Sequence, residues 1–341
     1  MEKETSIFDR DEIVHYLETA EVERELFKKA DKVRKDCCGD EVHIRGIIEF
    51  SNYCSKNCLY CGLRRVNRKV QRYRIKKEEV VDLALKIASL GIRTVVLQSG
   101  DDLCYPRESI CEIISEIKKN VDIAITLSMG ERPFEDYKAF KEAGADRYLL
   151  KQETANFSLY ERLHPGQNLT ERLKILEYLK KLGYQIGAGN IVGLPGQTLK
   201  NLADDILLLR ELDADMAGIG PFIPQKDTPL KNSPPGGLSL TLRVLALARI
   251  LTRNSHLPAT TALATLDPRE GQLLGFKSGC NVIMPDFTPE PYRKNYVIYD
   301  HKIRVDLERA KALISEAGRK ISSDKGDSLK CKRPQKVSVC R

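Results

Sequence analysis

A chain of 341 residues with 42% hydrophobic and 30% charged residues can bury a large core under a wettable surface, as one big domain or two ordinary ones. No apolar run reaches the length of a membrane span, and the acidic start MEKETSIFDRDE lacks an apolar leader, so a cytoplasmic protein with no membrane partner is expected. The net charge of +8 is concentrated between Arg64 and Lys77 and after Lys325; the tail lacks aromatic residues that could stack on bases and no nucleic-acid motif is present, so no nucleic-acid partner is expected.

Residues 1–42 read as a helical lead-in. From residue 43 short apolar runs alternate with amphipathic stretches. Strands are expected at 43–50, 93–100, 121–128, 146–150, 184–193, 215–224, 257–263 and 279–285. Helices are expected at 76–91, 107–119, 133–144, 169–183, 197–213, 240–251 and 266–277, several closed by glycine. About eight such units imply a parallel sheet with helical crossovers, closed as a (β/α)8 barrel of the TIM type over residues 43–296. An open doubly wound sheet would want a glycine-rich turn after the first strand, where SNYCSKNC stands instead. Residues 297–341 hold a helix near 305–318 and then a polar, basic end expected to be disordered.

Ten cysteines in a long chain, three of them clustered, argue against a disulfide scaffold and for a metal site in a reducing compartment. Cys54, Cys58 and Cys61 form C-x3-C-x2-C directly after the first strand, where barrel loops build active sites. Three thiolates can cap three irons of a 4Fe-4S cubane and leave the fourth iron open. Structural zinc would want a fourth ligand, and no Cys or His lies at a short, regular spacing from the trio.

With Tyr60 as its aromatic, the trio resembles the signature of the radical S-adenosylmethionine (SAM) superfamily. The stretches HIRGIIEFSNYCSKNCLYCGLRR, VVLQSGDD, TLSMGE, AGADRYLLKQETAN, GNIVGLPGQT, GIGPFIPQKDTPL, PATTAL and NVIMPDFTPEPYR resemble the HydE family of FeFe-hydrogenase maturases over residues 41–296. Biotin synthase and the methylornithine synthase PylB look like more distant relatives. The resemblance implies an enzyme in which SAM binds the open iron and is cleaved reductively to methionine and a 5′-deoxyadenosyl radical. The implied substrate is a small cysteine-bound iron–carbonyl–cyanide complex. The implied partners are HydG, HydF and an electron donor such as ferredoxin or flavodoxin.

Carried onto this chain, the resemblance puts Tyr60 beside the adenine of SAM, or makes it a plain apolar plug. Gln98, Ser99, Gly100 and Asp101 would accept the SAM ammonium group, unless they form only a strand-end turn. Glu153 would contact SAM, and Arg172 would grip its carboxylate through two hydrogen bonds; either could instead be a solvated charge. Gly193 opens a Gly-Leu-Pro-Gly turn able to approach SAM closely. Arg147, Thr126, Thr260 and Thr261 would line an anion-binding substrate pocket or form an interior polar network, and Tyr292 and Tyr296 would cap the cavity or pack on the surface. Many maturases have Arg-His where this chain has Lys151-Gln152, which leaves room for a paralogue with another substrate. A PylB-type amino-acid mutase and a non-catalytic iron–sulfur scaffold are the competing readings. Cys331 and Cys340 are too sparse for a second cluster.

Overall fold

The computed structural model describes residues 8–330. The lead-in is helical as expected. A helix at Arg10–Glu18 opens on a capping box between Asp9 and Glu12, and a longer one follows at Glu23–Cys38. They lie against the helices Leu199–Glu211 and Leu238–Thr252 on the outside of the barrel.

The strands are β1 (Glu41–Ile44), β2 (Gly46–Ser51), β3 (Thr94–Ser99), β4 (Ala124–Ser128), β5 (Arg147–Leu149), β6 (Gln185–Ala188), β7 (Ile191–Val192), β8 (Met216–Ala217), β9 (Gly220–Pro221), β10 (Val282–Ile283) and β11 (Lys320–Ile321). The main sheet runs β2-β3-β4-β5-β6-β8, every pair parallel. Parallel bridges Met216–His256 and Pro258–Val282 carry it on to β10, and β10 pairs with β1 while Asp286 bridges Ile47. The sheet therefore closes on itself as the expected barrel. Its strands are buried on both faces, as Ile48, Val95, Leu97 and Ile125 on one face and Val96 and Thr126 on the other show, which is why they read as continuous apolar runs.

Helices at Lys77–Ser89, Arg107–Asn120, Phe134–Glu142, Leu169–Lys181, Leu199–Glu211, Leu238–Thr252, Gly271–Lys277 and Leu307–Glu316 follow the expected order. Several local expectations change, and the strands expected at 43–50 and 215–224 each split in two, as β1 with β2 and β8 with β9. The strand at 184–193 is broken at Gly189, whose φ of 151° brings its backbone so close to Gly218 that a Cβ would sit 2.1 Å from the carbonyl oxygen. Of the strand at 257–263 only Pro258 forms a bridge, next to a bridge at His256 just before it, and Thr261–Leu266 is a helix with Thr260 at its N-cap. A short helix at Phe157–Leu163, capped by the Asn156 side chain on the Leu159 amide, was not anticipated.

The largest correction concerns the C-terminal end. Instead of being disordered, residues 320–330 close the N-terminal mouth of the barrel. Strand β11 pairs in parallel with β1, and Ser322 and Ser328 are buried. Arg45 donates to the Gly326 carbonyl at 3.2 Å, Thr94 Oγ1 to the Lys325 carbonyl at 2.7 Å, and Lys330 Nζ to the Ala214 carbonyl at 2.8 Å. Cys331 and Cys340 lie outside the described residues.

Candidate functional site

The cysteine loop leaves β2 at the opposite, C-terminal mouth, and polar side chains fasten it from several directions. Asn52 donates to the carbonyls of Gln71 (2.9 Å) and Asn295 (2.8 Å) and accepts from the Tyr73 amide at 2.7 Å. The Arg72 guanidinium donates to the carbonyls of Leu63, Arg64 and Asn67 at 3.0, 2.9 and 3.1 Å. One rigid cation thus gathers three carbonyls that would otherwise face away from water. Gly100 lies so close that a Cβ there would stand 2.2 Å from the Tyr53 carbonyl oxygen and 2.8 Å from Cys54 Cβ.

Cys54, Cys58 and Cys61 are free, half-buried thiols, and beyond burial a charge on Cys54 makes Cys58 harder to ionise, while charges on Cys58 and Cys54 do the same for Cys61. Burial pushes Cys58 up to about 11 and raises Cys54 and Cys61 as well. Such a trio is unfavourable as bare thiolates and is stabilised by bound cationic iron. Among the described residues no three His, Cys, Asp or Glu side chains close around a single ion. Three free thiols on one loop, with N–H groups directed at them, are a donor set that would fit three protein-held irons of a 4Fe-4S cluster.

Beside the thiols lies a ring of charge. Arg172, buried on the helix Leu169–Lys181, donates from Nε to the Tyr160 hydroxyl at 2.7 Å and from Nη1 to the Lys151 carbonyl at 3.0 Å. Its Nη2 reaches Gln167 Oε1 at 3.2 Å and Glu131 Oε1 at 3.1 Å. The second oxygen of Glu131 is held by Lys56 Nζ at 2.6 Å. Burial alone would raise the Glu131 carboxyl, but Arg172 and Lys56 outweigh it and hold it below its ordinary range. Glu153 pairs with Lys151 at 3.0 Å and adopts φ 66°, a left-handed conformation costly for a residue with a side chain. The Tyr60 hydroxyl meets His164 Nε2 at 2.8 Å, and Tyr60 packs on an apolar patch of Leu159, Leu163, Leu194 and Phe222. Burial drives His164 down to about 4, so its ring is neutral near pH 7.

The structure thus brings together Tyr60, Glu153 and Arg172. Gln98, Ser99 and Gly100 are half-buried at the strand end. Asp101 turns to bracing: its oxygens accept from Ser55 Oγ at 3.0 Å and the Glu131 amide at 2.9 Å. Gly193 has φ 86° and abuts Gly236, and Gln197 Oε1 accepts its amide at 2.7 Å. The Oγ1 atoms of Thr126 and Thr260 are buried without a hydrogen-bond partner, and Thr126 lines an internal cavity of about 30 Å³ with Arg45, Met216 and His256. Thr261 starts its helix. Tyr296 is buried under Lys302, whereas Tyr292 faces outward and donates to Glu79 at 3.0 Å.

Arg147 does not join them. It begins β5, at the end of the barrel remote from the cysteines, and its guanidinium is spent on Asp327 (2.7 Å), the Lys325 carbonyl (2.8 Å), Thr94 (3.0 Å) and Gln185 (2.9 Å). Of its two expected roles these contacts match the interior polar network, because a strand only three residues long puts its first residue at the floor of the barrel.

Sequence reasoning passed over Glu131, Lys56, Gln167, Tyr160 and His164. Glu131 was within reach, since it ends the TLSMGE stretch just past β4, where barrel enzymes carry functional groups. The others depend on contacts across the fold.

The profile of the Radical SAM superfamily matches residues 48–209. The [FeFe] hydrogenase maturase subunit HydE of Thermotoga maritima is 54% identical over 82% of this chain and 80% of its own length. Among solved structures, methylornithine synthase (PylB) superposes with a TM-score of 0.85 at 24% identity, covering 95% of this chain and 96% of that one. The maturase HydG of Carboxydothermus hydrogenoformans superposes with a TM-score of 0.80 at 22% identity, covering 96% and 78%. At these identities the two structures speak for the fold alone, and they agree with the barrel. The cysteine loop, the barrel and the identity to the Thermotoga protein together make this chain a radical SAM enzyme of the HydE family.

Proposed function

We propose that this chain acts in FeFe-hydrogenase maturation, cleaving SAM reductively at a 4Fe-4S cluster on Cys54, Cys58 and Cys61 and acting on a small cysteine-bound iron–carbonyl–cyanide complex. The observation that carries the reading is the buried Arg172–Glu131 pair beside the cysteine trio. When bound, the cluster and SAM supply one electron and a 5′-deoxyadenosyl radical. The protein's own groups bind, orient and shield.

Arg172, whose guanidinium now pairs with Glu131, would hold the SAM carboxylate through two hydrogen bonds. Glu131, held by Lys56, would serve the SAM ammonium group as an anionic acceptor. Tyr60, fixed by neutral His164, and the apolar patch around it receive the adenine. The unpartnered hydroxyls of Thr126 and Thr260 suit a polar substrate below, because a buried hydroxyl without a partner costs about 1–3 kcal/mol until something fills its hydrogen bond. HydG as source of the iron complex, HydF as acceptor of the product and an acidic one-electron carrier complete the scheme.

The test is anaerobic reconstitution, reduction, and addition of SAM with the iron complex, with free lysine in a parallel tube, followed by mass spectrometry. Consumption of the complex with an adenosylated product supports the reading. A rearranged amino acid from lysine would instead favour the mutase. Absence of SAM cleavage with the cluster verified would leave only a scaffold.

A further inference from the structure

Gln167 belongs to none of the groups expected to touch SAM, yet it sits between the carboxylate-binding arginine and the cluster. Its backbone amide donates to the His164 carbonyl at 3.0 Å, in the turn that links the helices Phe157–Leu163 and Leu169–Lys181. One end of its side chain is Oε1, which accepts from Arg172 Nη2 at 3.2 Å. The other is Nε2, which lies 3.4 Å from Cys58 Sγ. The direction of the amide follows from chemistry. A guanidinium has donors only, so the carbonyl end must face Arg172 and the N–H end must face the sulfur.

Resting on the cluster reading above, we infer that Gln167 is a positioning residue: it holds a hydrogen bond on a cluster sulfur and makes the cluster's reduction potential depend on Arg172. Cys54 and Cys61 receive hydrogen bonds only from backbone amides, those of Asp101 and Lys56 for Cys54 and of Leu63 for Cys61. Cys58 alone of the three is bonded by a side chain that a substitution can remove. A donor on a ligating sulfur stabilises negative charge there. The reduced cluster carries one more negative charge than the oxidised one, so the bond favours reduction and raises the potential.

Arg172 sets the strength of that bond. It fixes the amide's orientation and polarises it, and the polarisation strengthens the N–H at the far end. The SAM carboxylate engages the same guanidinium. Occupancy of the SAM site and cluster reduction are then linked through this side chain as well as through the open iron, and by reciprocity each must alter the other by the same factor.

The test uses the full chain with its cluster reconstituted, as wild type, Q167L and Q167M, with iron and sulfide content matched. Midpoint potentials come from redox titration followed by the electron paramagnetic resonance signal of the reduced cluster, with and without SAM. The expected result is a more negative midpoint for both variants than for wild type, and a smaller change on adding SAM. Unchanged midpoints in variants of equal cluster content would overturn the inference. A wild-type protein that shows no reduced-cluster signal would instead overturn the cluster reading on which it rests. The unbranched Q167M stands in should Q167L fail to take up iron.

Discussion

Replacing Asp327 with alanine should destabilise the barrel without touching its chemistry. Arg147 is fully buried, and Asp327 is the only carboxylate that forms an ion pair with it among the described residues, with Asp146 and Asp215 acting from farther off. Stranding a buried charge costs about 3–5 kcal/mol when nothing else compensates it. Here two circumstances reduce that figure. The Asp327 side chain is 54% exposed, so part of its attraction is already screened, and Arg147 keeps its neutral acceptors Thr94, Gln185 and the Lys325 carbonyl. A loss of about 2 kcal/mol is expected, which at about 2 °C per kcal/mol for a chain of this size lowers Tm by about 4 °C.

The double variant R147M/D327A should regain at least half of the loss, because the stranded charge leaves with the arginine. The assay is thermal unfolding by circular dichroism, paired with product formation per folded enzyme. Burial raises the Asp327 carboxyl, but the hydrogen bond from Gln185 and the charge of Arg147 outweigh it, so the folded value lies below 3.8. The contribution of Asp327 is therefore complete above pH 4 and fades as pH falls through the depressed folded value, and the gap between wild type and D327A should narrow in acid. Equal melting of D327A and wild type would refute the reasoning. So would an R147M variant that melts normally yet forms no product, since the arginine would then serve the substrate as the sequence first suggested.

Three other outcomes follow from the site. R172K should weaken SAM binding about 10- to 100-fold, the equivalent of about 1.4–2.8 kcal/mol, because an ammonium cannot make the two parallel hydrogen bonds; equilibrium binding to the reconstituted enzyme measures it. G100A should lower cluster content, read from iron and sulfide per chain, because its Cβ would collide with the Tyr53 carbonyl and with Cys54. His164, with its folded value near 4 against 6.5 for a free imidazole, should make the fold lose stability as pH falls from about 6.5 to 4, where the unfolded chain takes up a proton that the folded one refuses. In H164Q that slope, followed by urea unfolding at several pH values, should flatten.

Much of this was legible before any coordinates. The alternation of apolar runs and amphipathic stretches follows from the two periods of the polypeptide, so the barrel and the order of its helices could be read directly. The cysteine trio was legible because its chemistry depends on local spacing. What the sequence could not convey is which way a residue faces within a closed barrel. Arg147 and Thr126 are paired neighbours on adjacent strands, yet the arginine turns to the floor and Asp327 while the threonine lines the interior. The end of the chain read as disordered because it is polar and basic, but its residues 322–330 are held by backbone carbonyls and buried cations of distant segments. Likewise Gln167 and Cys58, 109 positions apart, meet only because a short helix and the cysteine loop share one mouth of the barrel. Local spacing and periodicity are written in neighbouring residues and survive in the sequence. A hydrogen bond between remote segments depends on where the whole sheet closes, and only the tertiary structure decides that.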